Sequence, residues 1–534
     1  YDISTNAVPA NPIGHYVLQL PIFNNNGSGG APDRTAAQSE VLALNDTQFL
    51  VLARDGLGRG VAASASTSTT PIFKSVLLID TVGATNLAGT TFETSTTPIA
   101  TAGTLLPSIV PVQQVELVNM LNPTQLARVG MGLNRLPLTS LTSLGEKMEA
   151  MALAPVLEEG APQDFFLLVG NDNDFQATAA VFNGTPASIG ALDGTGNNDN
   201  VMLVYRLTLP TYVDPMALQA LNTTSPDVLY GTRRALTELG LGTTAPAMRF
   251  LNGQRGWNAP ATARTQLWLD TDWSRIGAGA SPLTGLDAQT ISTTLGLDVP
   301  LGNGFRLGAM GGYRSLEGTL ALGAPLKAKA WTVGGYAALD TASGFYGQAA
   351  GAWLRDANFG SIGRASVYGQ RANGTTEGSG WTGSGEIGWR FPVGRAKLTP
   401  FVAIDYVDLK FDGYSETGAS VSNITYPDRR FSQLNTSFGG EVAVEFGALR
   451  PALRGGYSIE NQSGDNSAAV RLTSAQHAMG STVLALDGTE RDSAFGELRI
   501  AMRDGALSGY LSARGRWGRG QDDARVAVGV SFAM

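Results

Sequence analysis

The sequence predicts an all-β protein: a 12-stranded antiparallel transmembrane β-barrel with a lumenal helix, preceded by a β-propeller-like domain. Three observations predict this. From about residue 262, apolar and polar residues alternate with period two in runs of roughly ten residues, the mark of strands apolar on one face. Tight turns alternate with longer connections between the runs, the asymmetry of outer-membrane barrels. The last run, VAVGVSFAM, sets Val526, Val528, Val530, Phe532 and Met534 on one face and Ala527, Gly529, Ser531 and Ala533 on the other. An exposed terminal strand is an aggregation hazard, so this strand is expected to pair with the first of its sheet and close a barrel.

The runs start near residues 263, 286, 304, 328, 345, 378, 397, 430, 449, 493, 507 and 525. In FRLGAMGGY, Phe305, Leu307, Ala309 and Tyr313 share a face, with Arg306 and Arg314 on the other. In AFGELRIAMR, Leu498, Ile500 and Met502 oppose Glu497, Arg499 and Arg503. The apolar face suits lipid, and the Arg/Glu face suits a wet, ion-paired lumen. PLGNG, TASG, PVGRA, FGA and RDGA read as tight turns, and the stretches 358–376, 412–428 and 461–490 as long loops. Both barrel termini then lie on the short-turn side.

Upstream, DPMALQALNTTSPDVLYGTRRALTELG (Asp214–Gly240) reads as helical. Ser225 is the expected N-cap, Pro226 occupies the position where a helix tolerates proline, and Gly240 supplies a stop. The expected organisation is a domain over 1–213, a linker over 214–261 with a pore helix at about 226–239, and a barrel over 262–534. Arg233 and Arg234 of that helix are expected near lumen carboxylates.

Composition agrees. A net charge of −8 gives no basic face for nucleic acid. No cysteine is present, which excludes disulfides and thiolate chemistry. No apolar run approaches the roughly 18 residues of a spanning helix, so a membrane-spanning form of this chain must be a barrel. YDISTNAVPANP lacks the basic start and apolar core of a signal peptide, and Tyr1 is expected to be a processed start.

Residues from about 215 to 534 resemble the translocator of a classical autotransporter. The carriers are the helix LNTTSPDVLYGTRRAL, the twelve alternating strands and the closing VAVGVSFAM. The resemblance implies a helix threading the pore, an exposed passenger, and a last strand read by the barrel-assembly machinery. The family usually ends in Phe or Trp; here Met534 is last and Phe532 stands two before it. Outer-membrane lipid is the other implied partner.

Residues 1–213 carry short apolar strands separated by Gly/Asn/Asp/Thr loops, as in propeller blades or a sandwich. SEVLALNDTQFLVLARDGLGRG, KSVLLIDTVGATNL, EKMEAMALAP and FFLLVGNDNDFQ resemble the phytase-like esterase family, a β-propeller domain. The resemblance picks out Glu40, Arg54 with Asp55, Glu149, and the run Asn171, Asp172, Asn173 and Asp174; Ala53 stands where the family often has Glu. Carboxylates and amides at blade ends can converge as oxygen ligands for Ca²⁺, giving Glu40, Asp55, Glu149, Asp172 and Asp174 as a candidate site. They can equally bind phosphate through a bridging cation. The NDND run also reads as a self-capped turn, and Arg54–Asp55 as a structural ion pair. His15 and His477 are expected in different domains, and no GxSxG, HExxH or Walker loop is present. A blade takes about 40 to 45 residues, so this region makes about five at most, and further blades are expected upstream or in a cleaved fragment.

Two functions follow. The first is an outer-membrane autotransporter displaying a binding or scaffold module, whose partner is a fragment of its own passenger or another envelope protein. The second is a surface-anchored phosphoesterase or phytase-like hydrolase.

Overall fold

A computed structural model describes residues 11–25, 30–60, 70–133, 141–173, 179–182, 185–188, 199–258, 264–277, 286–486, 492–518 and 521–534. The chain divides into two compact units: residues 1–214 with 475–479, and 215–474 with 480–534.

The first unit holds two antiparallel meanders. One is four-stranded in the order β1 (Ala37–Ala43), β2 (Gln48–Arg54), β3 (Lys74–Asp80), β4 (Gln113–Asn119). The other is three-stranded, in the order β5 (Lys147–Pro155), β6 (Asp164–Asp172), β7 (Met202–Thr208). Leu50 to Ala53 of β2 are all buried, so both faces of the first sheet are covered. On one face Val51, Ala53, Leu77 and Ile79 cluster with Phe23, Ala36 and Val112, and β1 and β2 also contact β5 of the second sheet. Among the described residues, the second sheet is covered on one face only. Phe165, Leu167 and Val169 are at most 1% exposed, whereas Phe166, Met202 and Val204 on the opposite face are 37%, 62% and 55% exposed. A closed ring of blades is not present among the described residues.

The second unit is a closed barrel. Its strands are β8 (Gln266–Ile276), β9 (Asp287–Gly302), β10 (Phe305–Thr319), β11 (Pro325–Asp340), β12 (Phe345–Ala365), β13 (Arg371–Trp389), β14 (Ala396–Phe411), β15 (Arg429–Val444), β16 (Leu449–Gly464), β17 (Ser493–Asp504), β18 (Leu507–Gly518) and β19 (Gln521–Ala533). Each pairs antiparallel with its neighbours, and the ring closes between the last strand and the first, Gln266 opposite Ala533 and Ile276 opposite Asp523. Alternation decides which side meets lipid: along β8, buried and exposed residues alternate without a break. Val526, Val528, Val530, Phe532 and Met534 all face outward, 41–61% exposed.

Three expectations need correction. The strands run from 11 to 21 residues rather than about ten, because pairing continues well past the apolar band. The supposed loop at 358–376 is therefore mostly strand, with only residues 366–370 between β12 and β13. The stretches 412–428 and 461–490 also fold: Tyr414–Ser415, Ile424–Tyr426, Ser467–Leu472 and Ser481–Ala485 make a four-stranded sheet of their own.

The helix differs most. α1 (Pro215–Thr223) leads directly into α2 (Ser225–Gln254), a 30-residue helix. Ser225 is not an N-cap; its hydroxyl donates back to the Leu221 carbonyl one turn earlier. Nor does Gly240 end the helix. A Cβ there would stand 3.3 Å from Val407 and Leu409, and one at Gly242 would stand 2.2 Å from the Arg314 guanidinium. These glycines let the wall approach the helix closely, a use of glycine separate from stopping.

Candidate functional site

α2 has too few apolar residues to cross lipid, and no helix among the described residues is long and apolar enough to do so. Its polar side chains are nonetheless buried, because the barrel wall surrounds them. Thr243 and Thr244 hydrogen-bond Thr382 and Ser384 of β13 at 3.0 and 2.7 Å. Asn252 accepts from Gln348 of β12 at 2.9 Å, and Gln254 donates to Ser508 of β18 at 2.8 Å. On another side, Arg429 of β15 donates to the Leu229 carbonyl at 3.1 Å. A helix bonded to strands all round the ring occupies the lumen.

Charge holds it there. Arg249 bridges Asp270 and Asp272 of β8 at 2.5 and 2.7 Å; Ser292 and Arg314 also donate to Asp272, and Tyr510 to Asp270. Farther along, Glu386 receives Arg255 at 2.9 Å, Arg454 at 2.6 Å and the Tyr346 hydroxyl at 2.7 Å. Glu441 receives Arg499 at 2.5 Å and Arg450 at 3.1 Å, with Arg255 at 3.6 Å. At the middle of the helix, Arg516 joins Glu238 and, from the wall, Asp523 at 2.8 and 2.6 Å. Buried charges of this kind are tolerable only when paired and hydrogen-bonded, and here Asp270, Asp272, Glu386, Glu441 and Asp523 are each bound by two or more donors. The pore-helix residues named from sequence lie in this zone. Arg234 pairs with Asp523 at 3.2 Å, and the Arg233 guanidinium lies 4.9 Å from the centre of the Phe431 ring. The carboxylates of the wall were missed, although DTD within WLDTDW sets Asp270 and Asp272 on the polar side of an otherwise apolar strand.

Of the residues singled out in the first unit, Arg54, Asp55, Glu149 and Asn171 lie at strand ends, and Glu40 sits within β1 opposite Leu52. Arg54, at the end of β2, donates to Glu149 of β5 and, at 3.0 Å, to Ser39. Glu149 sits beside the point where the β5–β6 register shifts, a bulge that sets one strand a residue ahead of its partner. Asp55 is sealed inside. It takes Lys74 at 2.9 Å and the backbone N–H groups of Leu57, Ile72 and Phe73. Burial lowers the Lys74 ammonium's pKa below its ordinary range, and the adjacent Asp55 carboxylate opposes that shift. Asn171 accepts from the Val201 N–H at 2.6 Å, and its own amide donates to the Asp172 carbonyl at 3.3 Å. Glu40 accepts from the N–H of Val41 at 2.9 Å. Asn173 is half-buried, and Asp174 lies outside the described residues. Among the described residues, no three His, Asp or Glu side chains are grouped as metal ligands. Both histidines fall in the first unit, with separate partners: His15 meets Glu93 at 2.9 Å and His477 meets Asp46 at 3.0 Å.

Residues 267–514, nearly the whole ring, match the family model of the autotransporter beta-domain. The barrel is an autotransporter β-domain. It belongs to type V secretion and places the protein in the outer membrane, with the passenger at the cell surface. Two curated relatives, each named Esterase EstA, come from Pseudomonas aeruginosa and Pseudomonas putida; each is 26% identical over 166 residues, 30% of this chain. The chain spans only a quarter of the length of these relatives, 25% in each case. Among solved structures, the translocator domain of autotransporter NalP from Neisseria meningitidis aligns over 58% of this chain and 99% of its own, at 13% identity and TM-score 0.45. The beta domain of the Bordetella autotransporter Brka aligns over 51% and 100%, at 18% identity and TM-score 0.38.

Proposed function

We propose that this autotransporter displays its first unit as a binding or scaffold module, with another envelope protein or a separate piece of its own passenger as the partner. The observation that carries the reading is the uncovered apolar face of the second sheet, where Ala150, Ala152, Phe166, Met202 and Val204 face solvent. Contiguous apolar surface of this kind marks interaction sites. The residues expected to do chemistry support the same reading: Arg54 holds Glu149, and Lys74 with three backbone amides holds Asp55. The propeller is the architecture we propose for the complete passenger, each meander being one blade.

The alternative, a surface-anchored phosphoesterase or other hydrolase, draws on the name Esterase EstA of the matched relatives and on the phytase-like motifs. Calcium is the proposed ligand of the same end of the unit, through Glu149, Asp172 and Asp174 with Glu40, while Asp55 stays with Lys74. The test uses the whole protein on cells. A photo-crosslinker at Val204 should capture an envelope protein or passenger fragment, and Met202→Glu should abolish capture. Hydrolysis of p-nitrophenyl phosphate or butyrate by these cells, lost in Glu149→Gln, would install the hydrolase reading instead. Calcium should raise the unit's melting temperature through Glu149; an unchanged value in chelator removes it. Assembly by the barrel-assembly machinery is proposed to need the seam, so Phe532→Asp should remove the protein from the surface.

A further inference from the structure

The outward face of β10 to β13 carries a girdle of aromatic residues on the long-loop side. Tyr313 and Trp331 pack with ring centres 4.9 Å apart, and Trp353 and Trp381 with centres 4.4 Å apart. Trp331 and Trp381 are 60% and 62% exposed. Amphipathic rings in such a band mark the level of the lipid headgroups. Directly beyond it toward the exterior stand three cations on the same outward face, Lys327 and Lys329 of β11 and Arg355 of β12. Lys329 lies two residues past Trp331, about 7 Å along the strand. Arg355 is cross-strand from Trp331 itself.

The backbone is irregular here in a way that aims these side chains. The β11–β12 register shifts twice, between Lys327 and Ala328 and between Lys329 and Trp331. The β12–β13 register shifts between Leu354 and Ala357, where Asp356 has φ of 50°. Bulges re-aim side chains, and a positive φ is uncommon for a residue that carries a Cβ. Around Lys329 the cross-strand neighbours are neutral donors, Ser315 and Asn358. Among the described residues no carboxylate lies within 4.0 Å of its ammonium. Lys327 meets Glu317 at 3.5 Å and Arg355 meets Asp356 at 3.1 Å, and all four of those side chains are more than half exposed. Exposed pairs of that kind are weak, so they yield to a stronger acceptor.

We propose that Lys327, Lys329 and Arg355, with Ser315 and Asn358, form a docking site for the phosphate of an outer-leaflet lipid headgroup. The lipid's chains would lie along Tyr313 and Trp331. The proposal rests on the outer-membrane reading of the barrel. Cations held at headgroup depth bind phosphate by charge-assisted hydrogen bonds, and basic residues near an anionic surface are attracted to it. Glu317 and Asp356 flank the site and set its limit, since their charge opposes a second phosphate.

Native mass spectrometry of the full chain in detergent, offered a diphosphorylated acylated glycolipid or its dephosphorylated form, tests this. The phosphorylated lipid should be retained at least tenfold more, with the preference falling as salt rises. The triple change Lys327→Gln, Lys329→Gln and Arg355→Gln should abolish the preference while the barrel stays folded and heat-modifiable. Equal retention of both lipids, or an unchanged preference in the triple variant, would overturn the site. Failure of the parent protein to insert into vesicles would overturn the membrane reading itself, a separate outcome.

Discussion

The two units bury opposite kinds of residue. The barrel turns its apolar side chains outward, Leu453 at 64% and Val333 at 61% exposure, and closes its interior with Arg, Asp and Glu. The first unit turns Leu50, Leu52 and Val76 inward at 0% exposure and buries the ion pair Lys74–Asp55. In lipid the outward apolar face is already satisfied, so what fixes the barrel's contents is the pairing of charges around α2. In water the reverse holds, and the uncovered face of β6 and β7 is the surface that still lacks a cover. The same chemical feature, an exposed Val or Phe, is therefore ordinary in one unit and informative in the other.

The comparison breaks hardest at the lumen. Glu441→Ala would leave Arg499 and Arg450 facing each other with their shared carboxylate gone. Removing one partner from a buried pair typically costs about 3–5 kcal/mol. The loss should appear as a lower urea midpoint for vesicle-inserted protein. All eight tryptophans lie at position 257 or beyond, so their fluorescence reads the barrel side alone. An unchanged midpoint would mean that water, rather than Glu441, solvates these arginines.

The next pair sharpens the contrast within the first unit. Leu167→Ala, on the covered face of β6 at 0% exposure, should cost about 2–5 kcal/mol. Met202→Glu, on the opposite face at 62% exposure, should change stability by less than about 0.5 kcal/mol and still abolish partner capture. Limited proteolysis of the displayed unit separates them. Equal protease sensitivity in both variants would show that the second sheet is covered on both sides.

How much of this could be read beforehand follows from which forces act locally. Strand starts were legible because lipid and lumen impose period two at every position: 286 against Asp287, 304 against Phe305, 449 and 507 against Leu449 and Leu507. Loop lengths were not, since Arg371 to Gly378 go on pairing with β12 across a register shift although they form no apolar face. Gly240 misled because stopping a helix and admitting a wall demand the same missing Cβ. The charged lumen was legible as a class of residue but not as partners. Nothing local to Arg249 points to Asp270 and Asp272; only the closed ring brings them together. In the first unit the motifs pointed to Arg54, Asp55 and Glu149, yet Lys74, which neutralises Asp55, lies in a strand that reads as ordinary core.

The smallest expected effect is at the surface of the first unit, and its sign follows from two carboxylates. Asp164 is held below the ordinary aspartate range by hydrogen bonds from Thr208 and from Arg206. Glu93 is held low by the Gly89 N–H and then by the His15 ring. Both pKa values are lowered on folding, so the ionised carboxylate stabilises the folded form. That contribution is fully present above the unfolded values of about 3.9 and 4.3 and is lost as pH falls through the folded ones. Hydrogen exchange at the Gly89 amide should therefore accelerate only below about pH 4, after correction for the intrinsic rate. Asp164→Asn should remove the corresponding pH dependence around Thr208 and leave that at Gly89 in place, because the two carboxylates have separate partners. The tryptophan signal, which comes only from position 257 onward, reports the barrel separately over the same range. A titration in which both units loosened together would show that acid sensitivity belongs to the whole chain rather than to these exposed pairs.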